Sequence, residues 1–112
     1  MPSDRRSALL RSTLDLLVLA SLVDGERYGY ELAQQLEAAG LGRVKGGTLY
    51  PLLARLEASE LVAATWRTGE HGPGRRYYAL TPGGREVLRD EGRGWLRLDD
   101  AVRSLLTRGG VT

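Results

Sequence analysis

The sequence lacks cysteine and holds a single histidine, His71, among its 112 residues. Without cysteine, the chain can form neither a disulfide framework nor a thiolate metal site. His71 lies beside Glu70 in a glycine-rich segment, with no second histidine to complete a metal site. The sequence also shows no Ser–His–Asp spacing and no phosphate-binding glycine motif. We therefore expect no metal, no cofactor and no enzymatic activity.

A long apolar run is also missing. The longest one, residues 14–23, is interrupted by Asp15 and Ser21, and a bilayer span needs about 20 apolar residues. Arg5, Arg6 and Arg11 precede the run, as in a signal peptide, but no small-residue cleavage site follows it. We expect this segment to be a core helix of a cytoplasmic protein that has no membrane partner.

Charge is unevenly distributed along a chain whose apolar (42%) and charged (27%) fractions are ordinary for one globular domain. The formal net charge is only +2. Between Arg43 and Arg85, however, seven basic residues stand against three acidic ones, a net of +4 that leaves the remainder net negative. The middle of the chain is therefore expected to face an anion.

Apolar periodicity predicts three helices in the first half of the chain, at about 7–23, 28–39 and 47–59. The third carries a stripe of leucines at positions 49, 52, 53 and 56. Pro51 is tolerated only if this helix begins within a turn before it, near Gly46 or Gly47. Two helices joined by a short glycine-containing turn form a helix-turn-helix unit.

Two strands and a long helix are predicted after this unit. Residues 61–68 and 75–81 have β propensity and flank a glycine-rich loop, which indicates a hairpin, or wing, in which Trp66 is expected to pack. Thr81 should cap a final helix that has Pro82 at its first position and ends at Gly109 and Gly110. Its apolar residues recur as in a coiled coil: Leu88, Trp95, Leu98, Val102 and Leu105. A second copy of the chain is the simplest cover for this seam.

The third helix presents a second face opposite its leucines. At about 100° per residue, this face holds small, polar and basic residues, which suit a helix that enters the DNA major groove. Lys45, at the helix N-terminus, suits a phosphate. Arg75 and Arg76 on the wing suit the negative potential of the minor groove. We predict that the DNA-contacting residues are Lys45, Gly47, Thr48, Tyr50, Pro51, Ala54, Arg55, Arg75 and Arg76.

Several motifs in this order resemble the PadR family of bacterial transcription regulators, and they cover nearly the whole chain. The most specific are GTLYP at 47–51 and RRYY at 75–78. The others are LDLLVL at 14–19, YGYEL at 28–32, LL at 52–53, RLE at 55–57 and LTPGG at 80–84. Where the family commonly has a serine and an acidic residue before GTLYP, this chain has Lys45 and Gly46, a departure that removes a helix cap and adds charge.

The resemblance implies a mainly α fold: a winged helix-turn-helix over residues 1–81 and a dimerisation helix over 82–112, in one compact unit. It implies a homodimer built by the last helix with help from the first, where we expect Leu14 and Leu17 to contribute. It also implies repression, often of a transporter or detoxification gene, relieved by a small aromatic molecule or another small effector. From the dimer itself we expect two third helices in successive major grooves of a pseudo-palindromic duplex. The alternative that the residues leave open is a winged helix that binds protein and no longer contacts DNA.

Trp95 has two interpretations. Multidrug-sensing relatives resemble this chain in placing a tryptophan at the dimer centre, so a pair of Trp95 rings could stack on a flat aromatic effector, with Gly92 and Gly94 leaving space beside them. The simpler explanation is that Trp95 only fills the core of the dimer, because a tryptophan in a helix seam needs no ligand to account for it.

Overall fold

The computed structural model describes residues 2–68 and 72–111, which form α-helices and a small antiparallel sheet. The helices are α1 (Pro2–Ser21), α2 (Gly29–Leu36), α3 (Gly46–Ala58) and α4 (Pro82–Arg108). The strands are β1 (Arg27–Tyr28), β2 (Val62–Arg67) and β3 (Arg75–Leu80). This architecture confirms the expected mainly α fold with a winged helix-turn-helix.

The sheet has one more strand than the predicted hairpin. Its order is β1-β3-β2, with both neighbours antiparallel to β3. The wing is β2 and β3 with their connecting loop, in which Val62 pairs with Leu80 and Arg67 with Arg75. Strand β1 pairs only Arg27 and Tyr28 with β3. Two residues are too few to produce the period-two pattern by which a strand is predicted.

The first two helices differ from their predicted bounds. Helix α1 begins five residues earlier than expected and ends two residues earlier. Helix α2 ends at Leu36 and continues as a π-helical turn, Glu37–Leu41, in which Gly40 has φ 93°. Glycine reaches this backbone conformation without a β-carbon penalty, so the chain can leave the helix there. After this turn the chain returns, and α3 contacts α2.

The core lies where α1, α2 and α3 meet the sheet. Helix α1 contributes Leu14, Val18, Leu19 and Leu22; α2 contributes Leu32 and Leu36; α3 contributes Leu49, Leu52, Leu53 and Leu56; and the sheet contributes Val62 and Tyr78. Burial of each such side chain stabilises the fold by about 1.5–3 kcal/mol. Burial also raises the pKa of the Tyr78 phenol above its ordinary value, so this ring anchors the sheet in its neutral form.

The start of α4 is fixed by the end of α3. The Thr81 hydroxyl accepts from the Gly84 N–H (2.9 Å) and donates to the Glu60 carbonyl (2.7 Å), so one side chain both caps α4 and ties it to the chain leaving α3. The predicted cap at Thr81 and the start at Pro82 are confirmed. The helix ends at Arg108, directly before the glycines that were expected to end it. Its 27 residues span about 40 Å.

Gly84 lies where α4 comes closest to the segment between α3 and β2. A β-carbon at this position would overlap the Leu61 carbonyl oxygen and come 2.8 Å from Leu80 Cδ1. At the neighbouring Gly83, the nearest atoms would lie 3.7 and 3.8 Å away. Of these two glycines, therefore, only Gly84 is required for close packing.

We expect Gly84→Ala to lower the free energy of unfolding by about 1–3 kcal/mol, because the added methyl forces α4 away from Leu61. Gly83→Ala is the matched control and should leave stability unchanged or raise it by up to about 1 kcal/mol, as alanine is the better helix former. Urea unfolding followed by circular dichroism measures both. Equal stability of the two variants would contradict the packing described for α4.

Candidate nucleic-acid interface

Helix α3 has one buried face and one open face. Leu49, Leu52, Leu53 and Leu56 are at most 4% exposed. On the opposite side Gly47, Pro51 and Ala54 are exposed. Apart from its chain neighbours and its own helix backbone, no described heavy atom lies within 4 Å of a β-carbon placed on Gly47. Pro51 is the sixth residue of the helix. It has no N–H to give the Gly47 carbonyl, but it adds a rigid, flat element to the open face.

The N-terminus of α3 has no side-chain cap within the described part of the chain. Lys45 is at the cap position, and its side chain makes no capping hydrogen bond, while its carbonyl accepts from the N–H groups of Thr48 and Leu49. The sequence indicated that α3 lacks a helix cap, and the structure agrees. Lys45 and Thr48 are both exposed. A cationic side chain beside the positive end of a helix dipole favours an anion such as a phosphate.

The Tyr50 ring bridges α3 and α2. A β-carbon at Gly29, the first residue of α2, would come 2.5 Å from the Tyr50 hydroxyl oxygen and 2.7 Å from its ring. Gly29 is thus required to admit the ring, which remains 53% exposed. The Tyr28 N–H donates to the Glu31 carboxylate at 3.2 Å, which secures the start of α2 beside it. The hydroxyl of Tyr50 is consequently held at the surface between the two helices.

Arg55 lies on the flank of α3 that faces α1. Its guanidinium contacts the Asp15 carboxylate at 3.2 Å, and both side chains are about half exposed. Together with Glu91 and Trp95 of α4, this pair lines an open hollow of about 450 Å³. An ion pair this exposed contributes about 0–1 kcal/mol, so the Arg55 side chain can exchange Asp15 for another anion at little cost. We call this space the α3–α4 hollow.

The two wing arginines point to opposite faces of β3. Arg76 pairs with Glu57 of α3 at 2.5 Å, and its guanidinium lies 5.9 Å from the Tyr78 ring. Arg75 lies over the Tyr28 ring at 4.5 Å. Both side chains therefore lie at the loop end of the wing strands, where they join the wing to α3 and to β1. The predicted loop residues Glu70 and His71 lie outside the described residues.

Charged and aromatic groups outside the predicted set also lie on the wing. Arg67 pairs with Glu26 and lies 5.3 Å from the Tyr77 ring, and Tyr77 in turn makes an edge contact with Tyr28. The sequence signal for this cluster was the presence of two motifs rich in tyrosine, YGY at 28–30 and RRYY at 75–78. These motifs come into contact only because β1 pairs with β3.

The expectation that Trp66 packs within the wing is wrong. The residue is 70% exposed, because β2 extends past the end of the core.

The residues predicted for a dimer interface fall into three groups. Leu14 is 2% exposed and lies in the core of a single protomer, so its assignment to an interface is corrected. Leu17 and Leu88 are half-buried against the core. The other four are open in the single chain: Trp95 (42% exposed), Leu98 (62%), Val102 (43%) and Leu105 (63%).

An apolar groove of about 400 Å³ runs between α1 and α4, lined mainly by Leu16, Leu17, Ala20, Leu88, Gly92 and Trp95.

Within residues 2–68 and 72–111, no three histidine, aspartate or glutamate side chains come together as a metal site. In the same ranges no helix is long and apolar enough to cross a membrane.

Comparisons with known proteins agree with this geometry. The model of the Transcriptional regulator PadR-like family matches residues 18–90. Transcriptional regulator Rv3488 of Mycobacterium tuberculosis is 38% identical over 96 residues, which are 86% of this chain and 85% of that protein.

Solved structures of similar proteins cover the same elements. A PadR family transcriptional regulator from Eggerthella lenta superposes with a TM-score of 0.83 at 39% identity, covering 93% of this chain and 90% of its own. A PadR-like regulator from Bacillus cereus gives 0.80 at 33% identity, covering 88% and 96%. The members of this family are transcriptional regulators and not enzymes. The chain belongs to the PadR-like family of transcriptional regulators.

Proposed function

We propose that this regulator is a homodimeric repressor that binds a pseudo-palindromic DNA duplex and is released by a small aromatic effector. Residues 1–81 form its DNA-binding part and residues 82–112 its dimerisation helix. A repressor of this kind acts in the cytoplasm, and the gene it controls encodes a transporter or a detoxification protein. The observation that carries the proposal is the open face of α3.

The α3 face combines shape and charge suited to a major groove. Gly47 and Ala54 keep the helix backbone close to any surface laid against it, and Thr48 and Tyr50 offer hydroxyl groups to phosphates. Lys45 and Arg55 add positive charge at the two ends of the helix. Because α3 is held by four buried leucines, these groups keep their positions relative to the protein core.

The dimer is supported by the apolar surface of α4. Trp95, Leu98, Val102 and Leu105 recur at heptad spacing and are exposed in the single chain. A two-fold partner would cover them with its own copy of the same residues, as in other isologous interfaces. Two copies of α3 could then occupy successive major grooves, which requires centres about 34–36 Å apart.

Effector binding is supported by the groove between α1 and α4. Its volume of about 400 Å³ falls within the range of small-ligand pockets. Its lining is almost entirely apolar, and Gly92 leaves the space beside Trp95 open. The dimer could adopt arrangements that differ in the distance between its two α3 helices, and a flat aromatic molecule stacked on Trp95 would bind one of them better than another. This difference in affinity would favour a distance at which the two helices no longer match the operator.

The α3–α4 hollow offers a route from effector to DNA. Trp95 and Arg55 line the same space, and Asp15 holds Arg55 on the side of α1. A shift of α4 against α1 would change the competition between Asp15 and DNA phosphate for the Arg55 guanidinium. The effector and the operator would then act on one shared side chain.

The proposal is tested first by duplex binding. The purified protein is used to select duplexes from a random pool, and affinity is then measured by fluorescence anisotropy against salt. If the dimer neutralises about six phosphates, its affinity should fall on the order of 10³-fold between about 50 and 200 mM salt. Failure to bind any duplex at the lower concentration would favour the alternative, a winged helix that binds protein.

We expect Gly47→Ala to separate stability from DNA binding. The added methyl meets no atom of the described residues and should stabilise α3 by up to about 1 kcal/mol. On the open face, however, it would stand between the helix backbone and the DNA, so duplex affinity should fall about ten-fold or more. Thermal unfolding and anisotropy are measured on the same sample. A variant that is more stable and binds equally well would exclude this face from the interface.

Substitutions of Arg55 and of Asp15 are expected to change duplex affinity in opposite directions. Arg55→Ala should weaken duplex binding and lower the magnitude of the salt slope by about one. Asp15→Asn should strengthen binding, because it releases Arg55 from its ion pair. When the two substitutions are combined, the gain from Asp15→Asn should disappear, since the two residues are coupled. Unchanged affinity in Arg55→Ala would remove Arg55 from the DNA contacts.

Trp95→Ala should weaken the dimer about ten-fold or more, because a tryptophan at the centre of an interface typically dominates its energy. Arg97→Ala is the matched control, since Arg97 lies on the opposite side of α4. Sedimentation equilibrium measures dimerisation, and the fluorescence anisotropy of flat aromatic dyes in the absence of DNA measures effector binding in the wild-type protein and in the variants. If the variant keeps both properties, Trp95 has neither role.

A further inference from the structure

Trp66 is an exposed tryptophan on a basic part of the wing, and its position is not explained by packing. The side chain is 70% exposed, although a tryptophan normally buries 150–250 Å² in a core or an interface. Gly74 approaches the ring at one edge, where a β-carbon on that glycine would lie 3.4 Å from the Trp66 Cε3 atom. A surface that leaves so much aromatic area open is suited to contact with a partner.

The strand register places Trp66 on the side of the wing next to α3. Residues paired across an antiparallel sheet share a face, so Trp66 lies on the same face as Arg76, Ala64 and Tyr78. Tyr78 on this face is buried in the core, and Arg76 pairs with Glu57 of α3. Trp66 is therefore the next side chain beyond the core, and it stands beside the flank of α3 that holds Glu57.

The charge around Trp66 indicates the chemistry of the partner. Arg76 is its cross-strand partner on the same face, and Arg67 and Arg75 form the next pair, on the opposite face of the strands. Two glutamates, Glu26 and Glu57, balance two of these arginines, and Arg75 lies over an aromatic ring. Counted over both faces, the loop end of the wing thus carries three arginines against two glutamates, which suits a polyanion with an apolar surface of its own. The sugar–phosphate wall of a DNA minor groove has both properties.

We propose that Trp66 is a DNA-contacting residue whose indole lies against the sugar–phosphate wall of the minor groove next to the major groove occupied by α3. The inference rests on the proposed DNA-binding function and extends the contact surface beyond α3 and the wing arginines. The indole N–H can donate to a phosphate oxygen, while the ring covers deoxyribose. The contact reads groove shape and not base identity.

The chain contains two tryptophans, so Trp95→Phe leaves Trp66 as the only indole fluorophore. This variant is titrated with a duplex selected as described above, and its emission, its acrylamide quenching and the anisotropy of labelled DNA are followed together. We expect the emission of Trp66 to change with the same midpoint as the anisotropy and its quenching by acrylamide to fall several-fold. If Trp95→Phe alters DNA affinity, the difference between the wild-type protein and Trp66→Phe supplies the same signal.

Affinity gives an independent measurement. Trp66→Ala should weaken duplex binding about ten-fold, while Trp66→Phe keeps most of the affinity because it keeps an aromatic ring. Thr65→Ala is the matched control, since Thr65 is exposed on the opposite face of β2. The melting temperature should not change in any of the three, because these side chains lie outside the core.

The outcomes separate this inference from the proposed function. Duplex binding with unchanged Trp66 emission and quenching would overturn the contact while leaving the DNA-binding function intact. Absence of any duplex binding would overturn both. A change in Trp66 emission that follows protein concentration without DNA, together with unaltered duplex affinity in Trp66→Ala, would assign the ring to a protein contact and overturn the inference.

Discussion

The burial of one leucine stripe fixes the rotation of α3 about its own axis, and the rest of the interface depends on that rotation. Leu49, Leu52, Leu53 and Leu56 are at most 4% exposed. Turning the helix by one residue, about 100°, would expose several of them at about 1.5–3 kcal/mol each. That energy is a large part of the stability of a small domain. The core therefore also determines which face of α3 is free, although no residue on that face takes part in the core.

The flanks of α3 are held by weaker contacts than its core face. On one flank the Tyr50 ring fits over Gly29 and Glu57 pairs with Arg76; on the other, Arg55 pairs with Asp15. Exposed ion pairs of this kind contribute about 0–1 kcal/mol. The helix is thus rigid where it meets the core and adaptable at its rim. This division suits a helix that has to enter a groove in one orientation while exchanging its surface partners for phosphates.

Much of the architecture was predictable because local rules specify it. The leucine spacing located α3 to within one residue, Pro51 required its start near Gly46, and Thr81 with Pro82 located the start of α4. Apolar period and capping chemistry depend only on neighbours in sequence, so they can be read without a fold. Strand β1 could not be found in this way, since two residues carry no periodicity and the strand exists only through its pairing with β3.

The sequence by itself determined the helices, the wing, the family and the identity of the residues opposite the α3 leucines. Only the tertiary structure decided what each of those residues touches. Arg55 forms an ion pair with Asp15, which lies 40 positions away in the chain, and Trp66 is exposed because β2 extends past the core. Periodicity reports which side of an element is apolar, but exposure and pairing depend on where the other elements end, and that is a property of the packed chain.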